Sequence, residues 1–202
     1  MTLARLAPHP ATDATPARSV VAEVGRARTT ERRWRGAGPS LELRFRLEGH
    51  IAALAVPAAA PTAFADRLWE HTCFEAFVKP DASPAYWEFN FAPSGEWARY
   101  AFSSYREPAP RATDAPAPRA PRMRWSASTE SLALHVSIEL EEMQGLERAP
   151  LRIALAAVVE ARDGSRSYWA LRHPAPAPDF HHADGFAVAL AAPGALEPLA
   201  PE

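Results

Sequence analysis

Ser40 to Gly49 read SLELRFRLEG, and in this run Leu41, Leu43, Phe45 and Leu47 alternate with Glu42, Arg44, Arg46 and Glu48. Period two is the spacing of a strand with one buried and one wet face, because successive side chains leave a pleated strand on opposite sides. Wound as a helix, the same run would throw its apolar residues to opposite sides of the axis. A turn at Gly49-His50 leads into IAALAV, Ile51 to Val56, so the two runs read as a hairpin.

Similar runs recur at Ser19–Val24, Cys73–Lys79, Tyr86–Phe91, Trp97–Phe102, Arg122–Ser126, Leu132–Leu140, Leu151–Glu160, Ser167–Leu171 and Phe186–Leu190. Turns rich in Gly, Pro, Ser and Asp separate them, and the best helical candidate is a single turn around Glu141–Leu146. This pattern predicts an all-β fold, an antiparallel β-sandwich of immunoglobulin-like or jelly-roll-like type with about ten strands.

The 202 residues suit one well-cored domain, expected over 18–192, with Pro/Ala-rich ends at 1–17 and 193–202 expected to fray. Within it, residues 107–121 contain PAPRATDAPAPRAP, too poor in large apolar groups to build a core, and are expected to form a flexible loop. The formal charge of −2 gives no basic excess for a phosphate backbone, which argues against nucleic acid. No apolar run is long enough for a signal-peptide core or a membrane span, so the expectation is a cytoplasmic protein off the membrane. Cys73 is the only cysteine, ruling out an internal disulfide and reading as a small buried hydrophobe.

Chemistry concentrates in LWEHTCFEAF, Leu68 to Phe77, and in the two runs after it, YWEFNF and EWARYAF. With tight turns, the three make a meander in which Glu75 stands opposite Asn90, Asn90 opposite Trp97, and Glu88 opposite Arg99. One face is then apolar, while the other gathers Glu75, Tyr86, Glu88, Asn90, Trp97 and Arg99. Trp69 and His71 would rim that face. Carboxylates and an amide beside an indole suit a sugar, which offers an apolar ring face for stacking and hydroxyls that need directional partners.

The succession LWEHTCFEAFVKP, YWEFNFAPSGEWARYAFSSYRE and SYWALRHPAPAPDFHHADGF resembles the DOMON-like domains of bacterial proteins, relatives of the family-nine carbohydrate-binding modules. The resemblance runs from about Leu68 to Phe186 and implies a β-sandwich whose members bind sugars or haem. Trp69-Glu70 and Glu75 match the family's Trp-acidic and Glu-x-Phe pattern, Tyr86-x-Glu88-Phe89-Asn90 its aromatic and Phe-Asn strand, and Pro93-Ser94-Gly95 its turn. Such modules are usually exported, so the cytoplasmic expectation sets this chain apart from them.

His173, His181 and His182 lie on the proline-bearing HPAPAPDFHHADGF connection. His173 and His181 are expected to contact the ligand. With His71, the three also form an alternative metal set, although their spacing fits no defined zinc motif. Haem ligation, which the resemblance brings in, would draw on Met123 or Met143 with one of these histidines. Glu75 and Glu88 invite a glycosidase reading, but an arginine opposite Glu88 would hold it ionised as an acceptor. The sequence therefore points to a non-catalytic module for a small, sugar-like ligand without a cofactor. A haem- or metal-binding domain and a protein-interaction module are the alternatives.

Overall fold

The computed structural model describes residues 1–12, 15–28, 38–110, 117–141, 143 and 145–194. The loop expected over 107–121 therefore falls partly outside the described residues, as does most of the tail expected over 193–202.

Twelve strands follow in chain order: β1 (Thr2–Pro8), β2 (Ala17–Arg28), β3 (Pro39–Gly49), β4 (Cys73–Pro80), β5 (Tyr86–Phe91), β6 (Trp97–Ser104), β7 (Glu107–Pro108), β8 (Arg122–Ala127), β9 (Ser131–Glu139), β10 (Leu151–Glu160), β11 (Arg166–Ala170) and β12 (Val188–Leu190). They pair antiparallel in the order β7-β6-β5-β4-β10-β11-β1-β2-β3-β9-β8, and β12 lies along the start of β10. The fold is thus all-β and sandwich-like.

β1 joins the two layers. Its residues Thr2 to Leu6 pair with β2, whereas Ala7 and Pro8 pair with Ala170 and Trp169 of β11. This overturns the frayed start: Leu6 is buried, and the segment completes both sheets. Exposed alternate residues such as Leu3 hid it, because the run carries only weak period-two contrast.

Between the layers the alternating leucines do what their spacing predicts. Leu41, Leu43, Phe45 and Leu47 are all buried, in one core with Val20, Val24, Leu134 and Val136 from the same layer and Phe74, Phe91, Ile153 and Leu155 from the other. The Phe45 and Phe74 rings meet across the interface at 5.0 Å. Each such side chain removed from water contributes roughly 1.5–3 kcal/mol.

Ile51–Val56 is not the hairpin partner of β3. Both edges of β3 are taken, by β2 and β9, so no ladder remains for a third strand. The chain instead makes a 3-10 turn at Ile51–Ala53 and touches the other layer through one bridge, Leu54 to Ala161. The run after β9 likewise closes through turn bonds, Met143 N–H to Leu140 and Leu146 N–H to Met143, with Met143 and Leu146 buried.

Candidate functional site

β4 pairs with β5 in the expected register, Glu75 opposite Asn90. β6 does not keep the expected register: Asn90 faces Ala98, Glu88 faces Tyr100 and Tyr86 faces Phe102. A slip of one residue sends every side chain of a strand to the other side of its sheet. Trp97 consequently joins the inter-layer core at 3% exposure, and the Arg99 guanidinium lies 5.2 Å from the Trp87 ring on that same side. Both were expected on the polar face, and Tyr100 and Phe102 stand there in their place.

The outer face of this layer is built from Cys73, Glu75 and Phe77 of β4, Tyr86, Glu88 and Asn90 of β5, and Ala98, Tyr100 and Phe102 of β6. Across β10 it continues through Ala154, Ala156 and Val158, which stand opposite Phe77, Glu75 and Cys73. The alanines leave depth there. The segment after β11 folds back over this face and brings Pro178, Phe180 and His181 to it, closing a cleft of about 340 Å3. Trp69, Tyr100, Phe102, Tyr168 and Phe180 supply its aromatic walls, and Glu75, Glu88, Arg106 and His181 its polar groups.

Below the cleft the polar groups run in a chain. The Cys73 thiol donates to Asn90 Oδ1 at 3.6 Å, and Asn90 Nδ2 donates to Glu88 Oε1 at 2.7 Å. Asn90, wholly buried, thus underpins Glu88 rather than reaching the cleft. Glu75 is 2% exposed, and its Oε1 has no hydrogen-bond partner among the described residues. Burial, with the neighbouring Glu88 charge added, raises the Glu75 carboxyl well above the usual carboxylate range. Burial also pushes Glu88 up to about 7, against the opposing pull of the Asn90 bond and the Arg106 charge.

On the roof, the Tyr86 hydroxyl accepts the Arg106 N–H at 3.0 Å and meets His181 Nδ1 at 2.8 Å. The other ring nitrogen, Nε2, lies 3.6 Å from Glu88 Oε2. Burial first, then the Arg106 charge, push His181 down to about 4, while Asp179 opposes them. The imidazole is neutral at pH 7, and burial favours the protonated form of both carboxyls.

Arg106 sits in the left-handed backbone region, φ 55°, within the turn between β6 and β7. Asp179 accepts from its guanidinium at 2.9 Å and from the Tyr105 hydroxyl at 2.8 Å. Burial alone would raise Asp179, but these two bonds hold it below its ordinary value. Arg67, φ 61°, is the other described non-glycine residue with positive φ; it opens the 3-10 turn Leu68–Glu70 that presents Trp69 to Tyr100, ring centroids 5.5 Å apart. Asp66 accepts the Tyr100 hydroxyl proton. Strained positions thus hold both ends of the mouth, a placement that accompanies binding sites.

The expected histidine set does not assemble. His71 Nδ1 pairs with Glu160 at 2.7 Å, His173 Nε2 with the Ala7 carbonyl at 2.8 Å, and His182 Nδ1 accepts the Asp184 N–H at 3.2 Å. Only His181 reaches the cleft. Among the described residues no group of three or more His, Cys, Asp and Glu side chains is placed to hold a metal ion. Of the methionines considered for haem, Met143 is in the inter-layer core and Met123 packs against it. Of the other expected contacts, Trp69, Glu75 and Glu88 line the cleft, and Tyr86 anchors its roof.

A second concavity, about 360 Å3, lies against the other layer and involves Arg44, Arg46, Arg124, Trp125 and His135. Its charges are largely matched in place: Arg44 with Glu23 at 3.6 Å, Arg46 with Glu48 at 3.0 Å, and His135 with Glu42 at 3.0 Å. Each concavity holds a buried polar atom without a partner among the described residues, Glu75 Oε1 in the first and Trp125 Nε1 in the second, and the first is set apart because its atom belongs to a carboxyl.

No protein-family model matches the chain, and no curated protein matches it. Its fold is similar to the crystal structure of a "putative carbohydrate-binding protein" from Bacteroides uniformis ATCC 8492, with a TM-score of 0.57 and 14% identity over 92% of this chain and 84% of that one. At this identity the likeness is one of fold.

Proposed function

We propose that the cleft over β4, β5 and β6 binds a saccharide without turning it over. The observation that carries this reading is Glu75, a buried carboxyl with an unpartnered oxygen on the floor of an aromatic-walled cleft. Native proteins rarely leave a buried polar atom unmatched, so a ligand group is the natural complement. Trp69, Tyr100 and Phe102 offer flat apolar surface to the C–H face of a pyranose, and a protonated carboxyl both donates and accepts toward hydroxyls. The fold neighbour's description agrees with this class of ligand.

Screening the purified protein on a glycan array, followed by calorimetric titration of the hits, tests the reading. Saturable binding lost in Trp69→Ala and Glu75→Ala supports it, and an array with no hit removes it.

A further inference from the structure

We infer that the saccharide carries a free protonated amine, and that Glu75 and Glu88 receive this ammonium at the cleft floor. The inference rests on the saccharide reading and narrows it to amino sugars.

Arg106 is the cation at the cleft, but its guanidinium is committed to Asp179 at 2.9 Å, and Tyr105 bonds the same carboxylate. His181 is neutral at pH 7, being pushed down to about 4 by burial and by Arg106. Against these stand two carboxyls with no cation of their own on the floor. Glu88 has one bond from the neutral Asn90 amide, and Glu75 Oε1 has none. Once ionised, the floor offers acceptors in excess.

A neutral hydroxyl meets this excess only in part, because it brings one donor and lone pairs that face the second carboxyl. An ammonium brings three donors, no acceptor and the missing charge. It also suits the surrounding rings, since Trp69, Tyr100, Phe102 and Tyr168 line the cleft and an aromatic face attracts a cation. An N-acetyl group would lose the charge while adding bulk.

The same arrangement makes binding proton-linked. The groups facing the pair are Cys73 on β4, Tyr86 on β5, Tyr100 on β6 with its partner Asp66 from the segment before the Leu68–Glu70 turn, Tyr168 on β11, Arg106 in the β6–β7 turn, and His181 with Asp179 on the roof. Of these, His181 titrates lower, at about 4, and the thiol of Cys73 and the phenols of Tyr86 and Tyr100 are all raised, so these four do not compete for the proton between pH 5 and 8. An arriving ammonium keeps its charge, and the carboxyl that ionises to meet it passes its proton to the solvent.

The test is calorimetric titration of the full chain with glucose, N-acetylglucosamine and glucosamine, which differ only at C2, in two buffers of different ionisation enthalpy. The inference expects glucosamine to bind at least about tenfold more tightly than the other two, a difference the charge-assisted bonds readily supply. It also expects proton release on binding and loss of the preference in Glu75→Gln, which keeps the shape of a protonated glutamate. Glu88→Gln serves as a second variant should the first fold poorly. If glucose or N-acetylglucosamine binds as well as glucosamine, the amine inference falls while the saccharide reading stands. If none of the three binds, or if the preference survives both variants, the inference also falls, and the glycan array decides the broader reading separately.

Discussion

The Tyr86 hydroxyl and His181 Nδ1 lie 2.8 Å apart, and this contact fastens the segment over the cleft to the strand beneath it. The same oxygen takes the Arg106 N–H, so one phenol positions two of the four polar groups at the cleft. Tyr86→Phe keeps the ring stacked on Phe102 but strands both partners. The expected cost is about 1–3 kcal/mol, the range for leaving a buried polar group unmatched. Hydrogen exchange should accelerate at the amides of Gly185 and Phe186 near this anchor, with β4 and β10 unchanged. Equal exchange in variant and parent would mean the roof is held by apolar packing alone.

The carboxyl pair gives stability a defined pH slope. Glu88 rises from 4.5 to about 7 on folding, so the folded chain binds more protons in that window. Its contribution is complete below pH 4.5 and is lost as pH climbs through about 7. Glu75 acts in the same direction. His181 acts oppositely: folding lowers it from 6.5 to about 4, so its contribution is lost as pH falls through that range and partly offsets the pair. Glu88→Gln should therefore gain stability over the parent at pH 8, by an amount on the order of 3 kcal/mol at most, and little at pH 4. Urea denaturation at the two pH values measures this, and a gain at the acidic end instead would reverse the assignment.

Much of this architecture is legible in the chain. The alternation in SLELRFRLEG and in the runs after it places the core strands, and Glu75 opposite Asn90 follows from parity alone. The cleft is less legible, for a countable reason. The connection between β5 and β6 spans the five residues 92–96, because Phe91 pairs with Trp97. A connection shorter by one would have paired Phe91 with Glu96 and turned Trp97 and Arg99 outward, as expected. Gly95, φ 99°, makes that turn possible, and a Cβ there would meet the Ala60 carbonyl at 2.9 Å. The roof residues Phe180 and His181 stand in a block whose composition marks it out, but no periodicity tells which face an irregular segment will cover. Arg106 and Asp179 meet from distant positions, and only the fold brings them together.

Arg106 acts on Glu88 through its charge, and Asp179 holds that charge in check. In Asp179→Asn the guanidinium loses its counter-charge and its field on Glu88 strengthens. The Glu88 carboxyl should then titrate below its value of about 7. Carbon-13 NMR titration of the glutamate side chains reads this directly. An unchanged or higher value would mean that the released arginine swings away into solvent, and that the αL turn at Arg106 alone does not aim it.

Trp69 and Trp97 lie on opposite sides of one layer, and their variants should separate folding from binding. Trp97 is 3% exposed and packs in the inter-layer core, whereas Trp69 is 39% exposed at the cleft mouth. Trp97→Ala should cost about 3–5 kcal/mol, the range for deleting a large buried ring. The milder Trp97→Phe should fold and keep saccharide affinity within about twofold of the parent, an energy difference of a few tenths of a kcal/mol. Trp69→Ala should barely move the melting temperature and should lower affinity at least about tenfold, because it removes the stacking surface rather than core. Chemical denaturation and ligand titration on the same preparations compare the two. The opposite result, binding lost at Trp97 and kept at Trp69, would restore the register in which β6 turns its tryptophan toward the ligand and would move the site to the other face of the strand.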